Sequence, residues 1–138
     1  MANYLDRIRN EGSRANPFFC QMGIEVVSAN EGNAVLQMAV RPDMHNGVGW
    51  LQGGLLVALA DEAMALAIYT QLLEGEGIAT ISESTSFLKG VREGIVVAEG
   101  RVIRKGRRVA FCEAEVWTGN APKILISRTS AAFAVTHE

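Results

Sequence analysis

The stretch "HNGVGWLQGGLLVALADEAMALA", residues 45–67, decides the fold. Leu51, Leu55 and Leu59 recur at helical spacing, and Leu56, Ala60, Ala63 and Ala67 follow one step further round. Together they cover so much of the circumference that the helix must be enclosed rather than half exposed. The pattern predicts a central helix over about residues 52–73, closed by the glycines of "LEGEGIA", which helix C-termini favour. Two features stand out within it. Gly53 and Gly54 open the helix, where the first backbone N–H groups have no intrahelical partner and no Cβ shields them. Asp61 then places a carboxylate among alanines and leucines, a costly choice unless the acid is paired, hydrogen-bonded or used.

Upstream, Tyr4, Leu5 and Ile8 sit at helical spacing and predict a short N-terminal helix over about residues 3–12, which "NPFF" is expected to stop. Residues 23–40, "GIEVVSANEGNAVLQMAV", read as a hairpin turning at "SANEGN". Downstream of the helix come four strand-like runs, "IATISESTSFLKG", "GIVVAEGRVIRKG", "RRVAFCEAEVWTG" and "KILISRTSAAFAV". In the third, the near-alternation of Val109, Phe111, Ala114 and Val116 suggests the covered face. About six strands and one apolar helix predict a single α+β domain over residues 1–138, an antiparallel sheet curling around a long central helix. The free edges and outer face of such a sheet favour pairing with a second copy.

Composition narrows the function classes. The 138 residues suit one domain, and 49% apolar with 20% charged residues fits a globular chain rather than a disordered one. A net charge of -2 gives the whole molecule no bulk attraction to nucleic acid. A membrane span over residues 51–73 would carry Gln52, Asp61, Glu62, Thr70 and Gln71, so none is expected. The opening "MANYLDRIRNEG" lacks a basic segment followed by an apolar one, and a cytoplasmic protein is expected. Cys20 and Cys112 have no metal-ligand spacing and are expected to pack as small hydrophobes; with only His45 and His137 besides, no metal site is expected. No Gly-x-Ser-x-Gly elbow is present.

The open donors at Gly53, reinforced by the helix dipole, suit an acyl carbonyl, a carboxylate or a developing oxyanion, although paired glycines also permit close helix–sheet packing. Glu62 points about 100° away from Asp61 and is expected to meet solvent or an ion pair. Asp61 lies eight residues beyond Gly53, hence about 12 Å along the axis. If both groups act on one carbonyl, Asp61 must come from a second subunit whose helix runs antiparallel past the first, across a two-fold axis.

Asn46, Gln52-Gly53-Gly54 and Asp61 in this register, with "ISESTSFLKG" and "VIRKGRRVAF" further on, resemble the hotdog-fold acyl-CoA thioesterases, in particular the phenylacetic-acid-degradation (PaaI-type) branch. The resemblance covers roughly residues 20–135. That branch reads Asn, a short gap, His-Gly-Gly, then Asp nine residues after the His. The resemblance implies a hotdog fold and hydrolysis of an acyl-CoA thioester to a free acid and CoA. It implies that the Gly53 N–H holds the thioester oxygen, that Asn46 orients the thioester or the attacking water, and that Asp61 is general base or nucleophile. Thr80 matches a hydroxyl residue that assists the water, although any strand favours a β-branched residue. A homodimer assembled as a tetramer is implied, with no cofactor, since coenzyme A is part of the substrate.

The departure is Gln52 where the branch has His; its amide donates an N–H but cannot titrate. A non-catalytic acyl-CoA-binding module is therefore the alternative reading, while a hydratase would need a helix or loop histidine and has only His45. "RVIRKGRRV" gathers five of the 13 basic residues. Such a cluster is ordinarily a solvated hairpin tip, but Arg107 or Arg108, with Lys89, suits the phosphates of coenzyme A. It is small and lacks interleaved aromatics, so nucleic acid is not expected. Trp50 reads as a packing residue at the helix entry.

Overall fold

A computed structural model describes residues 3–138. A six-stranded sheet, antiparallel throughout, is formed by β1 (Ile24–Asn30), β2 (Asn33–Ala39), β3 (Glu76–Phe87), β4 (Ile95–Lys105), β5 (Val109–Thr118) and β6 (Leu125–His137), in the order β1-β2-β4-β5-β6-β3. The long helix α3 (Gly53–Tyr69) lies against its inner face. This is the hotdog arrangement, a sheet wrapped around a helix. The N-terminal helices α1 (Tyr4–Glu11) and α2 (Pro17–Met22) are joined by a 3₁₀ turn, Gly12–Ala15.

The inner face is written in period two. Ala34, Leu36 and Met38 of β2, Val96, Ala98 and Gly100 of β4, and Ala110, Cys112, Ala114 and Val116 of β5 are all buried. Small residues dominate because α3 sits very close. A Cβ on Gly100 would lie 2.5 Å from the Ala63 carbonyl carbon and 2.7 Å from the Met64 nitrogen, so the helix backbone rests directly on β4. Leu56, Leu59, Ala60, Ala63, Met64, Leu66, Ala67 and Ile68 of α3 are buried beneath it. Each large apolar side chain so buried contributes about 1.5–3 kcal/mol.

Local structure departs from the sequence expectation at several points. Pro17 starts a helix instead of only stopping one: Asn16 Oδ1 accepts from the Phe18 and Phe19 N–H groups at 3.0 and 3.4 Å, and proline at the first helical position sacrifices no hydrogen bond. The central helix ends at Tyr69 rather than near residue 73, because Thr70 Oγ1 turns back to the Ala67 carbonyl at 2.6 Å and also accepts from the Gly32 N–H at 2.7 Å. On β5 the covered residues are the even-numbered set, so Phe111 lies on the outer face and is exposed. Cys20 is exposed at the surface, while Cys112 is buried and its thiol pushed up to about 12 by desolvation.

The two sheet edges are β1 and β3, and β3 is the unusual one. It pairs with β6 along its length, and its other edge carries no partner among the described residues. Because α3 packs chiefly on β4, with β2 and β5 beside it, the inner face of β3 is left largely uncovered and Ile81 and Phe87 are exposed. A twelve-residue open edge with apolar side chains is a template for pairing.

Gly100→Ala should cost about 2–3 kcal/mol, since backbone atoms rather than a flexible side chain must move. At Gly54 an added Cβ would meet nothing within 4 Å, so Gly54→Ala should instead gain a few tenths of a kcal/mol. Urea unfolding of the two variants checks the contrast.

Candidate active site

The loop before α3 is built to fix the helix start. Asn46 Oδ1 accepts from the Val48 and Trp50 N–H groups at 3.0 and 3.1 Å, and its own N–H donates to the Trp50 carbonyl at 2.7 Å. The Leu51 N–H donates to Val91 O at 2.8 Å and the Gln52 N–H to Met44 O at 2.9 Å. His45 Nε2 meets the Arg92 carbonyl at 2.7 Å, and the Arg92 guanidinium stacks 3.9 Å over Trp50. Asn46 thus organises the loop with its side-chain oxygen.

Gln52 caps α3 in an extended conformation without a side-chain hydrogen bond. Leu55 N–H is satisfied by Gln52 O at 3.0 Å, but among the described residues the N–H groups of Gly53 and Gly54 have no acceptor. These two donors stand at the positive end of a 17-residue helix, and the residues that flank them, Gln52 and Leu55, line an open cleft of about 490 Å³ with Met44, His45 and Arg41. A Cβ on Gly53 would stand 3.2 Å from the Phe87 ring, so the end of β3 flanks the helix start.

Asp61, half-buried on α3, faces the beginning of β3, where Thr80 Oγ1 donates to its Oδ1 at 3.0 Å. Two adjoining carboxyls complete the cluster. Glu83 lies beside Asp61, and its carboxyl is raised to about 7 by desolvation, then by the hydrogen bond and charge of Asp61. Glu62 is raised too, chiefly by burial, then by Asp61, with the Asn16 hydrogen bond acting against both.

Glu62 does not find the solvent exposure or ion pair expected of it. It is half-buried, its hydrogen-bond donor is Asn16 Nδ2 at 3.4 Å, and it lines a pocket of about 300 Å³ with Tyr4, Ala65, Tyr69, Ile78 and Phe133. Asn16 Nδ2 also donates to Tyr4 Oη at 2.8 Å, and the Tyr4 and Tyr69 rings meet edge to face at 5.1 Å. Thr80 borders this pocket as well, so it opens beside Asp61.

Within one chain Asp61 and Thr80 come together, whereas Gly53, Gln52 and Asn46 sit at the other end of α3. The basic candidates are similarly divided. Arg107 and Arg108 are exposed in the turn between β4 and β5, where their carbonyls accept from His137 and the Val135 N–H, next to the start of β3. Lys89 is exposed just past the end of β3, about 36 Å away along that strand.

Glu83 was invisible in the sequence. Three residues from Thr80 on a regular strand, it would face the opposite side; the bulge between Thr80 and Ser82 turns both inward, so that Thr80 pairs with buried Phe133 and Glu83 with buried Ala131.

The family model described as "Thioesterase superfamily" matches residues 49–124 of this chain. The 1,4-dihydroxy-2-naphthoyl-CoA hydrolase of Listeria monocytogenes is 28% identical over 111 residues, 80% of this chain and 90% of that one. The acyl-coenzyme A thioesterase PaaI of Escherichia coli K12 is 32% identical over 98 residues, 69% of this chain and 66% of that one. A solved thioesterase family protein from Silicibacter pomeroyi superposes with a TM-score of 0.88 at 19% identity, covering 99% and 100% of the two chains.

Glu62 also predicts a pH dependence of stability. Its folded-state pKa is raised, so the folded protein binds more protons than the unfolded one above the ordinary glutamate range, and stability falls as pH rises through that window. Glu62→Gln should flatten this fall and be the more stable protein at pH 7, with the difference vanishing near pH 4. Urea midpoints across pH 4–8 check it.

Proposed function

This chain belongs to the thioesterase superfamily and is a thioester hydrolase, and from that premise we propose that it hydrolyses acyl-CoA thioesters to a free acid and CoA at two equivalent sites across a homodimer interface. The observation that carries this reading is the position of Asp61: its carboxylate is held by the Thr80 hydroxyl at 3.0 Å beside the uncovered strand β3, while the open Gly53 donor lies eight residues away at the other end of that strand.

The geometry of β3 supports the pairing. Thr80 accompanies Asp61 and Phe87 accompanies Gly53, so β3 runs antiparallel alongside α3. Antiparallel pairing of two β3 edges about a two-fold axis near residues 83–84 would set residue 80 of one chain opposite residue 87 of the other. Each Asp61 would then approach the partner's helix start. The same operation brings the Lys89 end of one chain to the Arg107 and Arg108 end of the other, assembling from two chains a basic rim suited to the phosphates of coenzyme A. A further pairing of dimers into a tetramer would use the outer sheet face.

In this reading the partner's Gly53 N–H, in line with the α3 dipole, stabilises the tetrahedral oxyanion. Asp61 removes a proton from the attacking water, with Thr80 fixing its orientation. Gln52 at the helix start offers an amide N–H to the same oxygen but no titrating group. Asn46 acts by shaping the loop that presents Gly53. The pocket under Tyr4 and Tyr69 receives the acyl group, and its mixture of apolar wall and hydroxyls favours an aromatic acid, in keeping with the naphthoyl-CoA hydrolase among the relatives.

Thiol release from benzoyl-, phenylacetyl-, hydroxynaphthoyl- and hexanoyl-CoA tests the proposal. The wild type should turn over the aromatic thioesters best. Asp61→Asn and Asp61→Ala should each lower kcat at least about 10²-fold with the fold retained. Unchanged turnover in both variants removes Asp61 from the chemistry; saturable binding of acyl-CoA without thiol release makes the chain a binding module.

A further inference from the structure

The acid that sequence patterning passes over, Glu83, stands where the reaction needs a second proton-bearing group. Three facts of geometry converge on it. The bulge between Thr80 and Ser82 rotates β3 so that Thr80 and Glu83, which would otherwise lie on opposite faces, both face inward. Thr80 occupies Oδ1 of Asp61 at 3.0 Å. Glu83, the next inward-facing residue of β3 after Thr80, therefore sets its carboxyl beside that same carboxylate, within hydrogen-bond reach of it.

We propose, resting on the thioesterase reading above, that Glu83 is the general acid of the reaction: its carboxylic proton passes to the sulfur of the departing coenzyme A thiolate while Asp61 takes a proton from the attacking water. The balance closes. Water oxygen bonds to the acyl carbon and the carbon–sulfur bond breaks with its electron pair on sulfur. Sulfur gains the Glu83 proton, and Asp61 holds the proton lost by water. Transfer of that proton from Asp61 to Glu83 along their hydrogen bond then restores the starting pair. The sum is thioester plus water to acid plus thiol.

A single carboxylate must first take the proton of water before it can protonate the leaving sulfur, whereas two adjoining carboxyls, one ionised and one protonated, divide the tasks and can act together. The surroundings keep the division. Within its own chain Glu83 is opposite Ala131 of β6, which carries no charge, and the charged group that faces it from α3 is Asp61; the two-fold axis proposed above also brings the partner's Glu83 near, a second acid that favours the protonated form. Glu62 faces Asp61 from its other side, inside the pocket under Tyr4. No lysine or arginine forms an ion pair with Glu83 among the described residues. A carboxyl raised to about 7 is half protonated at neutral pH, matched to donating a proton there.

The test compares kcat/KM against pH for the wild type and Glu83→Gln on two esters of one acid, the coenzyme A thioester and the thiophenyl ester. Thiophenolate leaves without a proton; the alkyl thiolate of coenzyme A gains most from one. For the coenzyme A ester the wild type should lose activity as pH rises through about 7, because Glu83 gives up its proton. Glu83→Gln should be about 10²-fold slower and should lack that basic limb. For the thiophenyl ester the wild type should show no limb and the variant should lose less than about fivefold. Should the variant fold poorly, the leaving-group dependence of the wild-type limb alone decides the matter. Glu83→Gln working at the wild-type rate with the limb retained, or losing equally on both esters, overturns the proposal and leaves the thioesterase reading standing. Absence of thiol release by the wild type on every acyl-CoA would instead remove the reading beneath it.

Discussion

The contact between the α3 backbone and Gly100 governs the architecture. With no side chain at that point, the helix settles onto β4 at a separation that any Cβ would forbid, and the small residues around it follow from the same closeness. Seating the helix on β4, with β2 and β5 beside it, leaves the β3 edge farther from the helix than the β1 edge. β3 is three strands away in the order β4-β5-β6-β3, about 14 Å along the hydrogen-bonding direction, so its inner face receives little cover from its own chain. Sheet curvature returns the start of β3 to the helix, where Thr80 reaches Asp61, and the end of β3 returns through Phe87 against Gly53. Between those two touches lies the open stretch that carries Ile81, Glu83 and Thr85.

The electrostatics follow from this placement. Asp61 is costly on an apolar helix, and its cost is offset by the Thr80 hydroxyl and by remaining at the boundary with solvent instead of deep in the core. Burial is the first cause that discourages ionisation of Glu62 and Glu83, and the charge of Asp61 adds to it at both. At the far end of α3 the absence of a side-chain cap keeps two N–H groups open, at some cost in helix stability. Sites commonly keep such uncompensated groups where a ligand will satisfy them.

Much of this was legible from residues alone. The leucine and alanine spacing gave an enclosed helix, period-two runs gave the strands, and turn formers placed the β1–β2 hairpin. What escaped had local causes. Asn16 converts a proline from a stop into a start, and Thr70 ends α3 through a hydroxyl that serves two partners. On β5 the mere hydrophobicity of Phe111 outweighed its alternation with smaller alanines and a cysteine, which hold the inner positions because the helix leaves room only for them. The candidate site was legible at Asp61 and Gly53, where a residue type conflicts with its surroundings. It was not legible at Glu83, because a bulge leaves no mark in composition, nor at Glu62, whose neighbours Tyr4 and Asn16 arrive from an N-terminal segment distant in sequence.

The central claim is that each active site borrows Asp61 from one chain and the Gly53 donor from another, and trans-complementation addresses it directly. Asp61→Asn removes the base, and Gly53→Pro removes the N–H at the first helical position, where proline is tolerated and Gln52 already holds an extended backbone. Each homodimer is expected to be inactive. Random mixing by unfolding and refolding the two together makes half the dimers mixed, and each mixed dimer holds one site with both groups intact, so thiol release should recover to about one quarter of the wild-type rate. A mixture as inactive as its two components would contradict the shared site.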